Sequence, residues 1–380
     1  MDLTLLFSPL PETLFAEESG TGAFYKSIRF YSDRMPDVKG AHLALIGVPE
    51  ERGSDKNLGA AAAPDIIRSK LYHLKKGSGT YNIVDLGNLK PGIDLEETNT
   101  RLSEVCKFLI GNNILPLILG GTHDLDFGQY TAYEDMEKLI SFLNVDAFLD
   151  LEEGTKVPVN RQHINKILMH EPNYLFSYTH LAHQTYLVDS GLSAILEKLY
   201  FEAHRIGMMR QGLQDMEPSI RSADMLAFDI TAIRSSDAPG NANAQPFGLT
   251  GEEACQICWY AGINEKLSSA GFYEYNPGLD DEHKKTASVV ATMIWYFIEG
   301  FYNRKDERNY KSNDFLKFSV SMPVEPEVMN FYKSKVTDRW WMEVPNASRV
   351  NIVPCTYSDY EMACNGEVPD RYIAALSRMI

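Results

Sequence analysis

Short apolar runs, each closed by glycine, proline or an acid, recur along the first three hundred residues. They are Ala41–Pro49, Tyr81–Leu86 (stopped at Gly87), Ile114–Leu119, Ser141–Leu149, Thr185–Val188, Met225–Ile230 and Gly271–Tyr275. Runs of this length and closure read as strands buried on both faces. Between them the period changes to that of a helix. Pro64 sits where proline opens a helix, and Ile66, Ile67, Leu71 and Leu74 follow on one face. Further helices are predicted over 97–112, 127–139, 159–169, 193–204 and 286–301. Another follows Thr250, where Glu253 three residues on completes a capping box. Strand and helix alternate about seven times. The alternation predicts a three-layer α/β/α sandwich with a parallel sheet of about eight strands and right-handed crossovers.

The pattern changes after Gly300. Phe315–Met322 alternates like a strand, and Glu325–Met342 reads as a helix carrying Val328, Phe331, Tyr332, Trp340 and Trp341. Ile352–Cys355 reads as a last strand and Pro369–Leu376 as a last helix. The expected division is an irregular lead-in over 1–40, an α/β domain over 41–303 and a C-terminal appendage over 304–380. Trp340-Trp341 suits a core, a dimer contact or a partner site, and core is the commoner fate of such residues.

Composition narrows the partners. The 380 residues carry a net charge of -16, which argues against nucleic acid or an anionic membrane as the main partner. The apolar stretch at 287–301 is too short and too interrupted to span a bilayer. The first residues lack the basic start of a signal peptide. Five cysteines do not make a disulfide framework, and Cys255 and Cys258 read as packed thiols on one helix. A cytoplasmic protein is expected.

The chemistry centres on Leu117-Ile118-Leu119-Gly120-Gly121-Thr122-His123-Asp124, an apolar strand that ends in two glycines and a histidine. Ligands of open α/β sheets sit at such carboxyl ends. The runs 142–150 and 225–231 likewise carry Asp146, Asp150 and Asp229 at or near their ends. One histidine and three aspartates suggest a metal site, and oxygen-rich ligation with one imidazole suits Mn(II), Fe(II) or Mg(II).

The ordered motifs resemble those of the ureohydrolases: arginase, agmatinase and formimidoylglutamase. Gly47-Val48-Pro49 through Pro64-Asp65-Ile66-Ile67-Arg68 resembles the family's "GVP…G…GP..IR" segment, and Gly120-Gly121-Thr122-His123-Asp124 its "GGDHS". Asp146-Ala147-Phe148-Leu149-Asp150 resembles "DAHxD", and Phe228-Asp229-Ile230-Thr231-Ala232 resembles "SxDxD". Ser235–Gly240 through Thr250 resembles "D.PG…GLT", and Glu274-Tyr275-Asn276-Pro277 resembles "EVNP". Arg234-Ser235-Ser236-Asp237-Ala238-Pro239-Gly240 brings the formimidoylglutamase branch nearest.

The resemblance implies two manganese ions held by six ligands. Four are retained, His123, Asp146, Asp150 and Asp229, and these correspond to the full set of one ion. Phe148 and Thr231 stand where the family has the two ligands private to the other. One divalent metal, Mn(II) first, is therefore expected, with the second site lost. Asp124, and less so Asp126, are candidates to replace the lost charge. The resemblance gives Asp150 the role of orienting the nucleophile and Glu274 that of holding the cationic end of a substrate. The expected substrate is a small amidine or guanidine amino-acid derivative: formiminoglutamate first, with arginine and agmatine behind it. The alternative is a non-catalytic protein of the same fold, a pseudoenzyme that binds a ligand or partner. A homo-oligomer is expected. His163, His180 and His183 belong to no recognised motif and read as packed or solvated, and Asp237 as a loop-fixing acid.

Overall fold

A computed structural model describes residues 1–15, 20, 22–134, 136–307, 309–346 and 349–378. Its core is a ten-stranded sheet. In chain order the strands are β1 (Phe7–Ser8), β2 (Arg29–Phe30), β3 (Leu43–Gly47), β4 (Ile83–Leu89), β5 (Leu115–Leu119), β6 (Ile140–Val145), β7 (Leu175–His183), β8 (Glu202–Arg205), β9 (Met225–Asp229) and β10 (Ser269–Tyr273). Their order across the sheet is β1-β4-β3-β5-β10-β9-β6-β7-β8, with β2 also on β4. All pairings are parallel except β1 with β4.

Alternate residues of a strand feed opposite faces, as the period of two requires. Leu43, Leu45, Leu117 and Leu119 enter one core with the helices Ala63–Leu71, Gly251–Ile263 and Lys285–Tyr302. Ala44, Ile46 and Ile118 enter a second core with the helices Leu95–Gly111 and Asp126–Glu134. These two cores make the three layers expected from the chain. The predicted capping box is present: Thr250 Oγ1 accepts from the Glu253 amide, and the Glu253 carboxylate accepts from the Thr250 amide.

Several expectations are corrected. Thr185–Leu187 is a short 3-10 turn, not a strand; the strand is β7, just before it. Its sequence, Leu-Phe-Ser-Tyr-Thr-His-Leu-Ala-His, mixes two histidines with apolar residues and so lacked an apolar signature. The helix expected over 193–204 ends at Lys198, and 202–205 pairs into the sheet as β8. The lead-in, expected to be irregular, lends β1 and β2 to the sheet.

The largest correction falls on 325–342, which is no helix. The segment supplies β12 (Val328–Ser334) and β13 (Trp340–Asn346), which lie between β11 (Phe315–Ser321) and β14 (Arg349–Cys355) in a four-stranded antiparallel sheet. Val328, Phe331, Tyr332, Trp340 and Trp341 are β-formers. Asp338, with φ 59°, turns the chain so that Tyr332 faces Trp341.

Trp340 and Trp341 are buried. The Arg221 guanidinium lies 4.2 Å from the Trp341 ring centroid, and its Nη2 donates to the Trp340 carbonyl at 3.0 Å. Ile114, Ser141, Asp224 and Ser268, at the amino ends of four central strands, line a cavity of about 900 Å³ whose other wall holds Arg339, Trp341 and Val353. The small sheet therefore closes the amino-terminal edge of the large one. No helix of the described residues is long and apolar enough to cross a membrane. Cys255 and Cys258 are free and buried on their helix, as expected.

Candidate metal centre

Strand order explains how residues 150 positions apart meet. The four adjacent strands β5, β10, β9 and β6 come from distant parts of the chain. Their register aligns Leu119, Phe272, Phe228 and Val145 in one row. One or a few residues beyond that row, at the carboxyl edge, lie His123, Glu274, Asp229 and Asp146. The two glycines permit the approach. A Cβ on Gly120 would lie 2.3 Å from the Tyr273 ring, and one on Gly121 would lie 1.6 Å from the Glu50 carbonyl oxygen. Asp150 (φ 48°) and Glu274 (φ 69°) both adopt left-handed backbone. A left-handed glutamate costs of order 1–3 kcal/mol and persists only where its surroundings fix it, a pattern concentrated at functional sites.

The three expected carboxylates adjoin His123, but only Asp146 and Asp150 share with it the group of mutually close ligating atoms. His123 Nδ1 lies 3.3 Å from Asp146 Oδ2, 3.2 Å from Asp229 Oδ2 and 4.0 Å from Asp150 Oδ2. All four side chains are buried. Both ring nitrogens of His123 and Asp146 Oδ2 lack a hydrogen-bond partner among the described residues. Each such buried orphan costs about 1–3 kcal/mol, so the cluster is arranged for something that would satisfy it. An octahedral ion with bonds of about 2.1 Å spaces neighbouring donors by about 3 Å. Asp146 and Asp229 lie at close to that spacing from His123, and His123, Asp146, Asp150 and His163 offer ligand atoms within 4.8 Å of one another, so these donors fit a divalent ion.

The other oxygens of Asp146 and Asp229 are already satisfied. Asp146 Oδ1 accepts from Thr231 Oγ1 at 2.8 Å and from the Phe148 amide at 2.9 Å. Asp229 Oδ1 accepts from the Thr231 amide at 2.7 Å. Thr231 thus fastens both carboxylates on the side away from His123. The Arg161 guanidinium pairs with Asp150, Nη1 to Oδ1 at 2.7 Å, and lies 3.9 Å from the Phe148 ring centroid.

His163 joins the cluster, although its sequence context gave no sign of it. Its Nε2 lies 3.2 Å from Asp150 Oδ2 and its Nδ1 2.7 Å from Asp126 Oδ2, with its ring centroid 4.1 Å from that of His123. Ligating atoms of His123, Asp146, Asp150 and His163 fall within 4.8 Å of one another. No motif surrounds His163; a short loop after Asp150 returns it to the site. His180 is packed, between the Tyr178 hydroxyl and the Asp146 carbonyl. Asp124 abuts Gly53, where a Cβ would lie 1.8 Å from its Oδ1. Both its oxygens lack a hydrogen-bond partner among the described residues.

Glu274 is spent on its neighbours. Oε1 accepts from the His123 amide at 2.8 Å and from Asn160 Nδ2 at 2.9 Å, and Oε2 accepts from Asn57 Nδ2 at 2.8 Å. These bonds tie the β10 end to the His123 turn.

The electrostatics are those of carboxylates crowded out of water. Burial disfavours the His123 imidazolium, but Asp146 and Asp229 outweigh it and hold its pKa well above the ordinary value. Burial, reinforced by the Asp146 charge, pushes Asp150 up to about 6 and Asp229 up to about 7. Asp146 goes below its ordinary value despite burial, held there by His123. His163 overcomes burial through Asp126 and rises to about 9. Without a metal, protons keep the cluster near neutrality; a cation would displace them.

The arginase family model matches residues 41–299. The chain belongs to the arginase family. Curated relatives include a formimidoylglutamase of Geobacillus sp. (strain WCH70), 24% identical over 279 residues that span 69% of this chain and 84% of that protein. The formimidoylglutamase of Streptococcus pyogenes serotype M12 (strain MGAS2096) is 26% identical over 292 residues, 70% of this chain and 86% of that one. Among solved structures, Trypanosoma cruzi formiminoglutamase with Mn2+2 aligns with a TM-score of 0.66 at 20% identity, covering 72% of this chain and 97% of that one. Formimidoylglutamase from Bacillus subtilis subsp. subtilis str. 168 gives 0.68 at 20% identity, covering 76% and 95%. At these identities the structures establish the arginase-family fold, and the motifs that suggested the family lie within the matched region.

Proposed function

We propose that this arginase-family chain is a hydrolase of a C–N bond in a small amidine, formiminoglutamate first, working with one divalent metal, Mn(II) by preference. The observation that carries the one-metal reading is the division of oxygens on Asp146 and Asp229. One oxygen of each is held by Thr231, while the other faces His123. His123, Asp146, Asp150 and Asp229 would hold the ion. Phe148 and Thr231 offer no ligand that would hold a second.

A bound ion lowers the pKa of a coordinated water and supplies hydroxide near neutral pH. The chain's own residues do the rest. Asp150 Oδ2 reaches both the ligand cluster and His163, and so is placed to orient a nucleophile. His163, between Asp150 and Asp126, would give a proton to a leaving nitrogen. Metal analysis after Mn(II) loading and dialysis tests the reading, with one ion per chain expected. Formamide release from formiminoglutamate, set against urea release from arginine and agmatine, tests the substrate. A chain that takes up no metal sinks the proposal.

One observation favours the second reading, a non-catalytic protein of this fold. Glu274, the residue expected to hold a cationic substrate, has both oxygens committed internally and is 2% exposed. One bound Mn(II) with no product from any amidine or guanidine would move the conclusion to that reading.

A further inference from the structure

Arg161 lies on the opposite side of Asp150 from His163, and its surroundings are built for a guanidinium. Nη1 pairs with Asp150 Oδ1 at 2.7 Å. Nε and Nη2 donate to Glu152 Oε1 at 3.1 and 2.8 Å. The plane of charge lies against Phe148, with Cζ 3.9 Å from the ring centroid. The backbone holds the side chain's origin in place: the Glu152 amide donates to the Arg161 carbonyl at 3.2 Å, and the Arg161 amide donates to Pro158 at 3.0 Å. The side chain is only 20% exposed. The guanidinium rests on a phenyl face, its hydrogen bonds go to Glu152, and it forms an ion pair with the buried Asp150.

Charge gives this arrangement a purpose. Asp146, Asp150 and Asp229 carry three negative charges when ionised, and a single divalent ion compensates two of them. Arg161 is the permanently charged group in contact with Asp150, with His163 on the other oxygen. We infer that Arg161 is a tethered cation that stands in for a second ion, with Phe148 as its cradle. The inference rests on the one-metal reading and deepens it. Phe148 then does more than delete a ligand: its ring face accepts the planar cation that takes the ion's place. A lysine would not serve equally, since an ammonium is a compact point charge and lacks the fork that spans Asp150 and Glu152.

Two measurements test this. The first uses R161A, with R161S as a second variant, in thermal melts at fixed ionic strength. Guanidinium chloride at millimolar concentration should rebind the vacated place and raise the Tm of R161A saturably. At roughly ten times its dissociation constant the rise should be about 2 °C, with no such rise in the wild type or with matched NaCl. If the variants fold only when guanidinium is present, that outcome also supports the inference. No saturable difference between variant and wild type overturns it.

The second measurement counts Mn(II) by elemental analysis and reads paired ions by electron paramagnetic resonance. F148H/T231D restores ligand types but keeps Arg161, and should still bind one ion. F148H/T231D/R161S should bind two. Two ions in the double variant, with Arg161 in place, overturn the inference even if no R161 variant folds. A wild type that binds no metal sinks the one-metal reading. The guanidinium melts still decide the place of Arg161.

Discussion

Thr231 joins two of the candidate metal ligands. Its hydroxyl and amide hold one oxygen each of Asp146 and Asp229, leaving their partners to face His123. T231V keeps the shape and removes the hydroxyl donor. It should destabilise by about 1–3 kcal/mol, because Asp146 Oδ1 loses a buried partner. T231S should restore most of the loss, and thermal melts of the metal-free proteins would report both. A second residue-scale expectation concerns pH. In the unfolded chain an aspartate titrates near 3.9. In the metal-free fold Asp150 and Asp229 keep their protons up to about 6 and 7. Between those limits the folded state binds more protons than the unfolded one, so these groups cost stability progressively as pH rises from 4 through 7. Mn(II) removes that cost by replacing the protons. The rise in Tm on adding Mn(II) should therefore be larger at pH 8 than at pH 5.5, and a flat or opposite trend would refute the ligand set. At this scale the nearness of His123, Asp146, Asp150 and Asp229 was legible, because a motif stood behind each. The sequence read His163 as packed or solvated and was silent on Arg161; both reach the site from a loop whose path no periodicity encodes.

Among the elements, the parallel strands were readable because burial on both faces makes them continuous apolar runs. β7 escaped because His180 and His183 interrupt it, and β8 because a four-residue strand carries too few positions for a period. The segment 325–342 misled because its apolar spacing fits a helix as well as two short strands, and only the β-forming residue types and the turn at Asp338 argue otherwise. The β5 turn shows how strictly an element can depend on one missing atom. Gly121 passes so close to Glu50 that an added Cβ would sit 1.6 Å from its carbonyl oxygen, a backbone atom unable to swing aside. The same glycine accepts from the Glu274 amide at 2.7 Å, and Glu50 accepts from the Thr122 amide at 3.1 Å. G121A should therefore displace the His123 turn and the β10 end together. The expected cost is about 3 kcal/mol or more, with loss of Mn(II) binding. A G121A protein with wild-type Tm and normal metal content would show that this close approach does not fix the site.

For the whole molecule, the two ends of the sheet are separable. The candidate metal centre lies at the carboxyl edge of β5, β10, β9 and β6, while the four-stranded sheet packs at the amino edge of those strands. The contact between them runs through Trp341, with the Arg221 guanidinium stacked on its ring and Arg221 also bonded to the Trp340 carbonyl. Further out, Arg339 pairs with Glu307 and Arg378 with Glu202. Both outer pairs are largely buried, at 17% and 7% exposure and at 16% and 22%, so they share the attachment with the buried tryptophan. W341A removes a side chain that is 3% exposed, and the loss should be about 3–5 kcal/mol in a melt. The substitution leaves the row Leu119, Phe272, Phe228 and Val145 untouched, together with every residue beyond it. Below the melting transition W341A should therefore bind Mn(II) with wild-type stoichiometry and affinity. A weakened metal site in a folded W341A protein would mean that the small sheet reaches the chemistry through the strands, and the two ends would have to be treated as one coupled unit.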